Sequence, residues 1–337
     1  MQTKQWLERE VRLGDMPLQC GAVLRDARIR YLQRGGPNAP KDNIVLLPTY
    51  YGGAMAGNRA LGDGASPLAD PRWCLLIPAM LGAGESTSPS NAHPAQAGAR
   101  FPQITLADQV MAQARLVDML FGDVTLALVA GWSLGGMQSL QWGCLLAQRV
   151  RRVAAWCSAA RCHPHNLLFL RGLEAALLAD PLSATDSKPV AGLRAFGRVY
   201  ASRAYGPRFL SEGCHAALGF ADIDALLCWW EADHLAMDHH DLLLVLRMWA
   251  GADIAANPRF AGDRAAALAA IGAPALVMPC ATDQYFLVHE AEAEAACMPQ
   301  ADFRVMQSEW GHCAGGPGRE PAAMAQLWQG LRDLLAR

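Results

Sequence analysis

Ala130-Gly131-Trp132-Ser133-Leu134-Gly135-Gly136-Met137 is the stretch on which the reading of this 337-residue chain turns. An apolar run over 124–130 leads into it and a second, over 137–147, leads out, so the five residues from Gly131 to Gly135 join a strand to a helix. In a G-x-S-x-G turn the serine takes a strained backbone conformation, and a glycine on either side lets the chain reverse without Cβ clashes. The hydroxyl is thereby exposed. The helix that follows points its N-terminus at the same place, which makes the Leu134 amide a candidate donor to an oxyanion.

A serine hydroxyl is a weak nucleophile at neutral pH, so it needs a base, and the base needs a group that fixes its tautomer. The apolar run 275–278 ends in Pro279-Cys280-Ala281-Thr282-Asp283, which places Asp283 in a loop at the carboxyl edge of a sheet. His312 lies in Trp310-Gly311-His312-Cys313-Ala314-Gly315-Gly316, before the last apolar-periodic segment. Serine, aspartate, histidine is the chain order of the α/β-hydrolase triad. Glu290, Glu292 and Glu294 are the competing acids and read as a solvated helical face. A second oxyanion donor is expected from the loop after the apolar run 43–47, where the Tyr50 and Tyr51 amides are the candidates and Gly52-Gly53 permits close approach of a ligand.

The surroundings fit that frame. Continuous apolar runs at 43–47, 73–78 and 153–157 suit strands buried on both faces. Residues 105–121 have helical periodicity, with Thr105 as N-cap and Asp108 at the favourable end of the dipole. Residues 19–24 and 27–32 read as a hairpin turning at Arg25-Asp26, and 323–335 as a closing helix. The expected architecture is α/β, with a mostly parallel central sheet and helices on both faces. Residues 1–160 and 264–337 form the core. Between them, 161–263 form an inserted helical cap, since so long a structureless loop is improbable.

Composition narrows the partners. Hydrophobic residues make up 52% of the chain and charged residues 18%, a balance that favours a buried core over disorder. The formal net charge is −2 with no run of Lys or Arg, which argues against nucleic acid and anionic lipid. The N-terminal residues contain no apolar signal-type region and no stretch approaches a membrane span, so a cytoplasmic protein is expected. Ten cysteines are scattered, mostly in apolar runs, and read as small buried hydrophobes. No metal site is expected: His234 and Asp238 would share a helical face without a third ligand, and Cys162-His163-Pro164-His165 lacks paired zinc spacing.

Taken together, several motifs look like the homoserine O-acetyltransferase family of α/β-hydrolase-fold enzymes. They are Phe101-Pro102 with Thr105, Asp108, Val110, Gln113 and Leu116; Gly131 to Gln138; Ala160-Arg161 with Asn166 and Phe169; Asp283 with Phe286; and Gly311-His312. The resemblance implies ping-pong acyl transfer between an acyl-CoA co-substrate and an alcohol, with no permanently bound cofactor. By that resemblance Ser133 is the acylated nucleophile, His312 the general base and acid, and Asp283 its orienter. The Tyr50 and Leu134 amides match the oxyanion hole. Arg198 matches the arginine that grips a substrate carboxylate, with Arg194 or Arg203 as substitutes; Tyr51 and Cys313 would also face the substrate. Related enzymes pair through the helical insertion, so a homodimer is implied. Trp229-Trp230 would serve either that surface or the core of the cap.

One departure bears on the acceptor. The family has Gly-His-Asp at the histidine, its aspartate receiving the amino group of homoserine, whereas this chain has Cys313. A neutral thiol cannot pair with an ammonium ion, which costs roughly 10³-fold in discrimination. The expectation is therefore an O-acyltransferase acting on an alcohol other than homoserine; the alternative is a carboxylic ester hydrolase that uses the same triad with water as acceptor.

Overall fold

Residues 5–337 are described by the computed structural model; Met1–Lys4 of the polar N-terminal stretch lie outside them. The apolar runs become the strands β3 (Ile44–Leu46), β4 (Cys74–Pro78), β5 (Leu128–Trp132), β6 (Val153–Trp156) and β7 (Ala275–Met278), after the longer β1 (Leu7–Pro17) and β2 (Val23–Arg34) and before a short β8 (Ala301–Phe303). Every residue of β3 to β7 is buried. A strand with no polar face must be covered on both sides. The eight strands form one sheet in the order β1-β2-β4-β3-β5-β6-β7-β8, in which β1 and β2 are antiparallel to their neighbours and the rest pair in parallel.

Ten α-helices are assigned among the described residues. α1 (Leu106–Phe121) and α2 (Leu134–Leu145) pack on each other, and α2 packs on β5 and β6. Thr105 and Asp108 form the expected capping box. Asp108 also accepts from the Gln19 amide at 2.9 Å, tying the turn between β1 and β2 to the start of α1. Between β6 and β7 the chain leaves the sheet for α3 (Pro164–Leu178), α4 (Val190–Ala204), α5 (Cys214–Ala217), α6 (Ile223–Leu235) and α7 (His239–Ala250), then returns through α8 (Arg264–Ala269). The outgoing and returning segments touch: Arg161 bridges Asp253, and the Ile254 amide donates to the Ala160 carbonyl at 3.0 Å. α9 (Val288–Ala295) and α10 (Pro321–Leu335) pack against β7.

Three expectations need correction. The hairpin pairs β1 with β2 and turns at 18–22, where the Leu18 amide donates to the Ala22 carbonyl. Asp26 lies inside β2 at φ 45°, where the register slips from Leu24↔Met16 to Ala27↔Gly14. A bulge uses the same left-handed residue as a turn, so Arg25-Asp26 looks like one. β5 starts and ends later than expected because Gly131 and Trp132 pair with Ala155 and Trp156. The glutamates of α9 are not one solvated face either: Glu290 and Glu294 flank the buried His163 ring at 3.4 and 2.8 Å, and Glu294 accepts the Ala160 amide at 2.7 Å.

His234 and Asp238 do not share a helix. His234 lies in the last turn of α6, buried, with Nδ1 donating to the Trp230 carbonyl at 2.9 Å, while Asp238 caps α7. No cluster able to hold a metal occurs among the described residues, and no helix among them is long and apolar enough to cross a membrane. The ten cysteines are all free thiols; five of them, Cys74, Cys144, Cys157, Cys280 and Cys313, are buried.

Two contacts yield predictions. Asp108→Ala removes the reciprocal half of a cap and strands the Gln19 amide, so the unfolding free energy should fall by about 1–3 kcal/mol in denaturant titrations. Asp241, on α7, accepts the Ser90 amide at 2.9 Å and the Ser90 hydroxyl at 2.6 Å, pinning the inserted helices to the core. Burial pushes its carboxyl up to about 6 from the ordinary 3.8. The folded chain thus holds that proton more tightly than the unfolded chain. The stabilisation is complete below the ordinary value and is lost as pH rises through the folded one. Relative to Asp241→Asn, the wild type should lose about 1–3 kcal/mol of unfolding free energy between about pH 4 and about pH 7.

Candidate active site

At the carboxyl edge of the sheet, Ser133 follows β5 with φ 57° and ψ −128°, the strained turn expected of the elbow. The glycines two residues to either side have no room for side chains. A Cβ on Gly131 would lie 2.3 Å from the Gly135 carbonyl carbon, and one on Gly135 would lie 2.5 Å from the Pro48 oxygen. The Ser133 amide donates to the Trp156 carbonyl at 3.1 Å, and the Ser158 hydroxyl donates to the Ser133 carbonyl at 2.7 Å.

The three residues singled out by chemistry meet here. His312 Nε2 lies 2.9 Å from Ser133 Oγ, and His312 Nδ1 lies 2.8 Å from Asp283 Oδ2. With Asp283 ionised, Nδ1 carries the hydrogen and donates to the carboxylate, leaving Nε2 to accept from the serine hydroxyl. The other Asp283 oxygen accepts the Tyr285 and Phe286 amides at 2.7 and 3.2 Å, so its own loop fixes the carboxylate. Rings of Trp132, Tyr285 and Phe286 lie 5.0, 4.6 and 5.6 Å from the imidazole, which is buried among them.

Leu134 is the first residue of α2, and Tyr50 ends the loop leaving β3. Neither amide donates to another protein group among the described residues. The loop is clamped by Gln138, whose Nε2 donates to the Thr49 carbonyl at 2.9 Å, and by Asn58, which donates to the Pro48 carbonyl at 3.0 Å. Above Ser133 and His312 opens a cavity of about 320 Å³, walled by the rings of Tyr50, Trp132, Tyr200, Trp229, Trp230 and Tyr285. Burial pushes the phenols of Tyr50, Tyr51, Tyr200 and Tyr285 up from their ordinary value, so they stay neutral at physiological pH.

Residues 42–315 match the family described as the alpha/beta hydrolase fold. The chain belongs to that family. It is 31% identical over 333 residues to ethyl acetate hydrolase of Pseudomonas veronii, a match covering 97% of this chain and 95% of that one. An acetylester hydrolase from Corynebacterium glutamicum superposes with a TM-score of 0.92 at 27% identity, covering 98% of this chain and 96% of the other. Homoserine O-acetyltransferase of Zymomonas mobilis is 33% identical, but only over 193 residues, 52% of this chain and 51% of its own length. The resemblance to the acetyltransferases therefore places the chain in the superfamily. Sequence likeness over nearly the whole chain is to ester hydrolases.

The remaining expected residues of this alpha/beta hydrolase fall unevenly. Tyr51 reaches the cavity wall, but its hydroxyl donates to the Leu242 carbonyl at 3.2 Å and its ring stacks on Tyr200, so it is a wall and not a hydrogen-bonding group. Cys313 lines the cavity, its buried thiol pushed up by desolvation. Arg198 is misassigned. It is exposed on α4 and pairs with Glu231 of α6, which Arg194 also approaches at 3.7 Å. Arg203 instead meets His165 at 3.1 Å. The buried face of α4 carries Leu193, Phe196 and Tyr200, and 194 and 198 lie away from it.

The arginine that does reach the cavity is Arg319. Its Nη1 donates to Cys313 Sγ at 3.5 Å, and its guanidinium lies 5.4 Å from the Trp132 ring centroid. Helical periodicity gives no hint of it. The one available signal is that it is the sole arginine or lysine in the glycine-rich run that follows His312. Asp233 and His234 at the end of α6 were likewise missed as lining residues.

Gly135 supports the loop that carries the Tyr50 amide. Gly135→Ala forces the new methyl against the Pro48 carbonyl, so the labelling rate of Ser133 by a fluorophosphonate should fall at least about tenfold and the melting temperature should drop, as intact-mass kinetics and a thermal scan would show.

Proposed function

We propose that the protein is a serine ester hydrolase for short-chain, chiefly acetyl, esters, working through an acyl-enzyme on Ser133. The observation that carries this reading is the unbroken relay from Asp283 through His312 to Ser133 Oγ at the floor of a small aromatic cavity. In the proposed cycle Ser133 Oγ attacks the ester carbonyl carbon while His312 Nε2 takes its proton. Asp283 stabilises the imidazolium, and the Leu134 and Tyr50 amides receive the developing oxyanion. His312 then protonates the departing alcohol. Water, deprotonated by the same nitrogen, attacks the acyl group, and Ser133 regains its proton.

Water is preferred to an alcohol as acceptor for two reasons. An ethyl acetate hydrolase and an acetylester hydrolase match the chain over nearly its whole length at 31% and 27% identity. Beside the site lies a second cavity of about 470 Å³ lined by Glu85, Asp233, Asp238 and Asp241, with no arginine or lysine in its wall. Such a wall repels the phosphates of an acyl-CoA. Homoserine is disfavoured again, because a guanidinium stands beside Cys313, where the amino group would have to sit.

The expected outcome is that acetate is released from ethyl acetate or 4-nitrophenyl acetate, that Ser133→Ala lowers kcat by about 10³-fold or more, and that added alcohols divert little of the acyl group. Faster discharge of acetyl-CoA than of these esters, accelerated by an alcohol, would reverse the assignment in favour of acyl transfer.

A further inference from the structure

The geometry points to Arg319 as the residue that selects the alcohol half of the substrate: the preferred ester is one whose alcohol carries a carboxylate. This rests on the ester-hydrolase reading above. His312 Nε2 must hand its proton to the departing alcohol, so the alcohol has to lie against the imidazole and the residues that follow it in the chain. Cys313 is the next residue, it lines the cavity, and its sulfur is held by Arg319 Nη1 at 3.5 Å. Arg319 also lies over Trp132, whose ring stacks on His312 at 5.0 Å. The guanidinium therefore flanks the position of the alcohol.

It has no carboxylate within ion-pair distance among the described residues, although Asp233 stands on the wall of the same cavity and feels its charge. Arg319 is half-buried, and a guanidinium partly withdrawn from water is commonly paired with a carboxylate. Among the described residues Arg319 makes no ion pair; its polar neighbours are the Cys313 thiol, the Tyr50 and Tyr205 phenols, and the Gly316 carbonyl that accepts its backbone amide. Burial keeps the Cys313 thiol and both phenols above their ordinary values, and so neutral. Polarity across the joined cavities points the same way. Asp233 lines both the acidic second cavity and the cavity over Ser133, whereas a third, mainly aromatic space that shares Arg319 is lined by Tyr205, Leu218, Phe220, Trp229 and Trp310. A substrate carboxylate is repelled from the first and drawn to the arginine. Nη1 of Arg319 is engaged with Cys313, and the remaining guanidinium N–H groups are the donors it offers to a carboxylate.

The test compares 3-acetoxypropanoate with propyl acetate, which has the same chain length and no charge. Wild-type kcat/KM should favour the anionic ester by roughly 10–100-fold, falling as salt rises, and Arg319→Met should collapse the ratio of the two values toward unity while Arg319→Lys retains part of it. No wild-type preference, or a loss of both rates in Arg319→Met with the ratio unchanged, overturns the proposal and leaves Arg319 a structural residue. Calorimetric binding of 3-hydroxypropanoate, which needs no hydrolysis, separates the two layers. If neither ester is cleaved but the hydroxy acid binds wild type and not Arg319→Met, the carboxylate site stands and the hydrolase reading falls. If both esters are cleaved and the hydroxy acid does not bind, the reverse holds.

Discussion

The backbone of Ser133 is held in a left-handed conformation that costs a non-glycine residue of order 1–3 kcal/mol, and the site exists because the surrounding fold compels it. β6 supplies the constraint. Its last residue accepts the Ser133 amide, and Ser158, just beyond it, binds the Ser133 carbonyl. β5 and β6 must therefore pair in register through Trp132↔Trp156 for the serine to point into the cavity. The parallel sheet is thus a mechanical part of the chemistry. A slip of one residue would turn Ser133 toward the opposite face.

Around that point the molecule divides its labour. The aspartate is oriented by amides of its own loop, the imidazole by three aromatic rings, and the oxyanion amides by Gln138 and Asn58 from buried positions. These groups belong to the core and to the loops at its carboxyl edge. The inserted helices contribute the roof, in Tyr200, Trp229, Trp230, Asp233 and His234. The wall of the cavity is consequently assembled from both parts of the chain, with Tyr50, Trp132, Cys313 and Arg319 supplied by the core.

That division explains what could be read from the residues and what could not. The elbow, the triad and the Thr105–Asp108 box were legible because each is announced by a local spacing or by a chemical need that few residues could meet. β7 was legible because four apolar residues between turn signals leave no other reading. Arg198 failed because a helix shows its period but not which neighbour covers which face, and Arg319 went unseen because its loop has no period. The spacing of Glu294 reads as a solvated face and that of His234 as one shared with Asp238, whereas each is buried with a partner distant in sequence or one turn away: His163 for the first, the Trp230 carbonyl for the second. The acceptor was the hardest matter of all. The chain is similar both to ester hydrolases and to homoserine acyltransferases, and its own cavity walls are assembled from separate segments that no single motif announces.

The bridge between Arg161 and Asp253 brings the two ends of the helical insertion side by side. An insertion whose ends meet is a detachable cassette: it can lengthen, shorten or be exchanged without altering the course of the strands that lead to Ser133 and Asp283. Inheritance can therefore remodel the roof while the floor stays unchanged, and laboratory grafting of a foreign roof at the same two positions inherits that freedom.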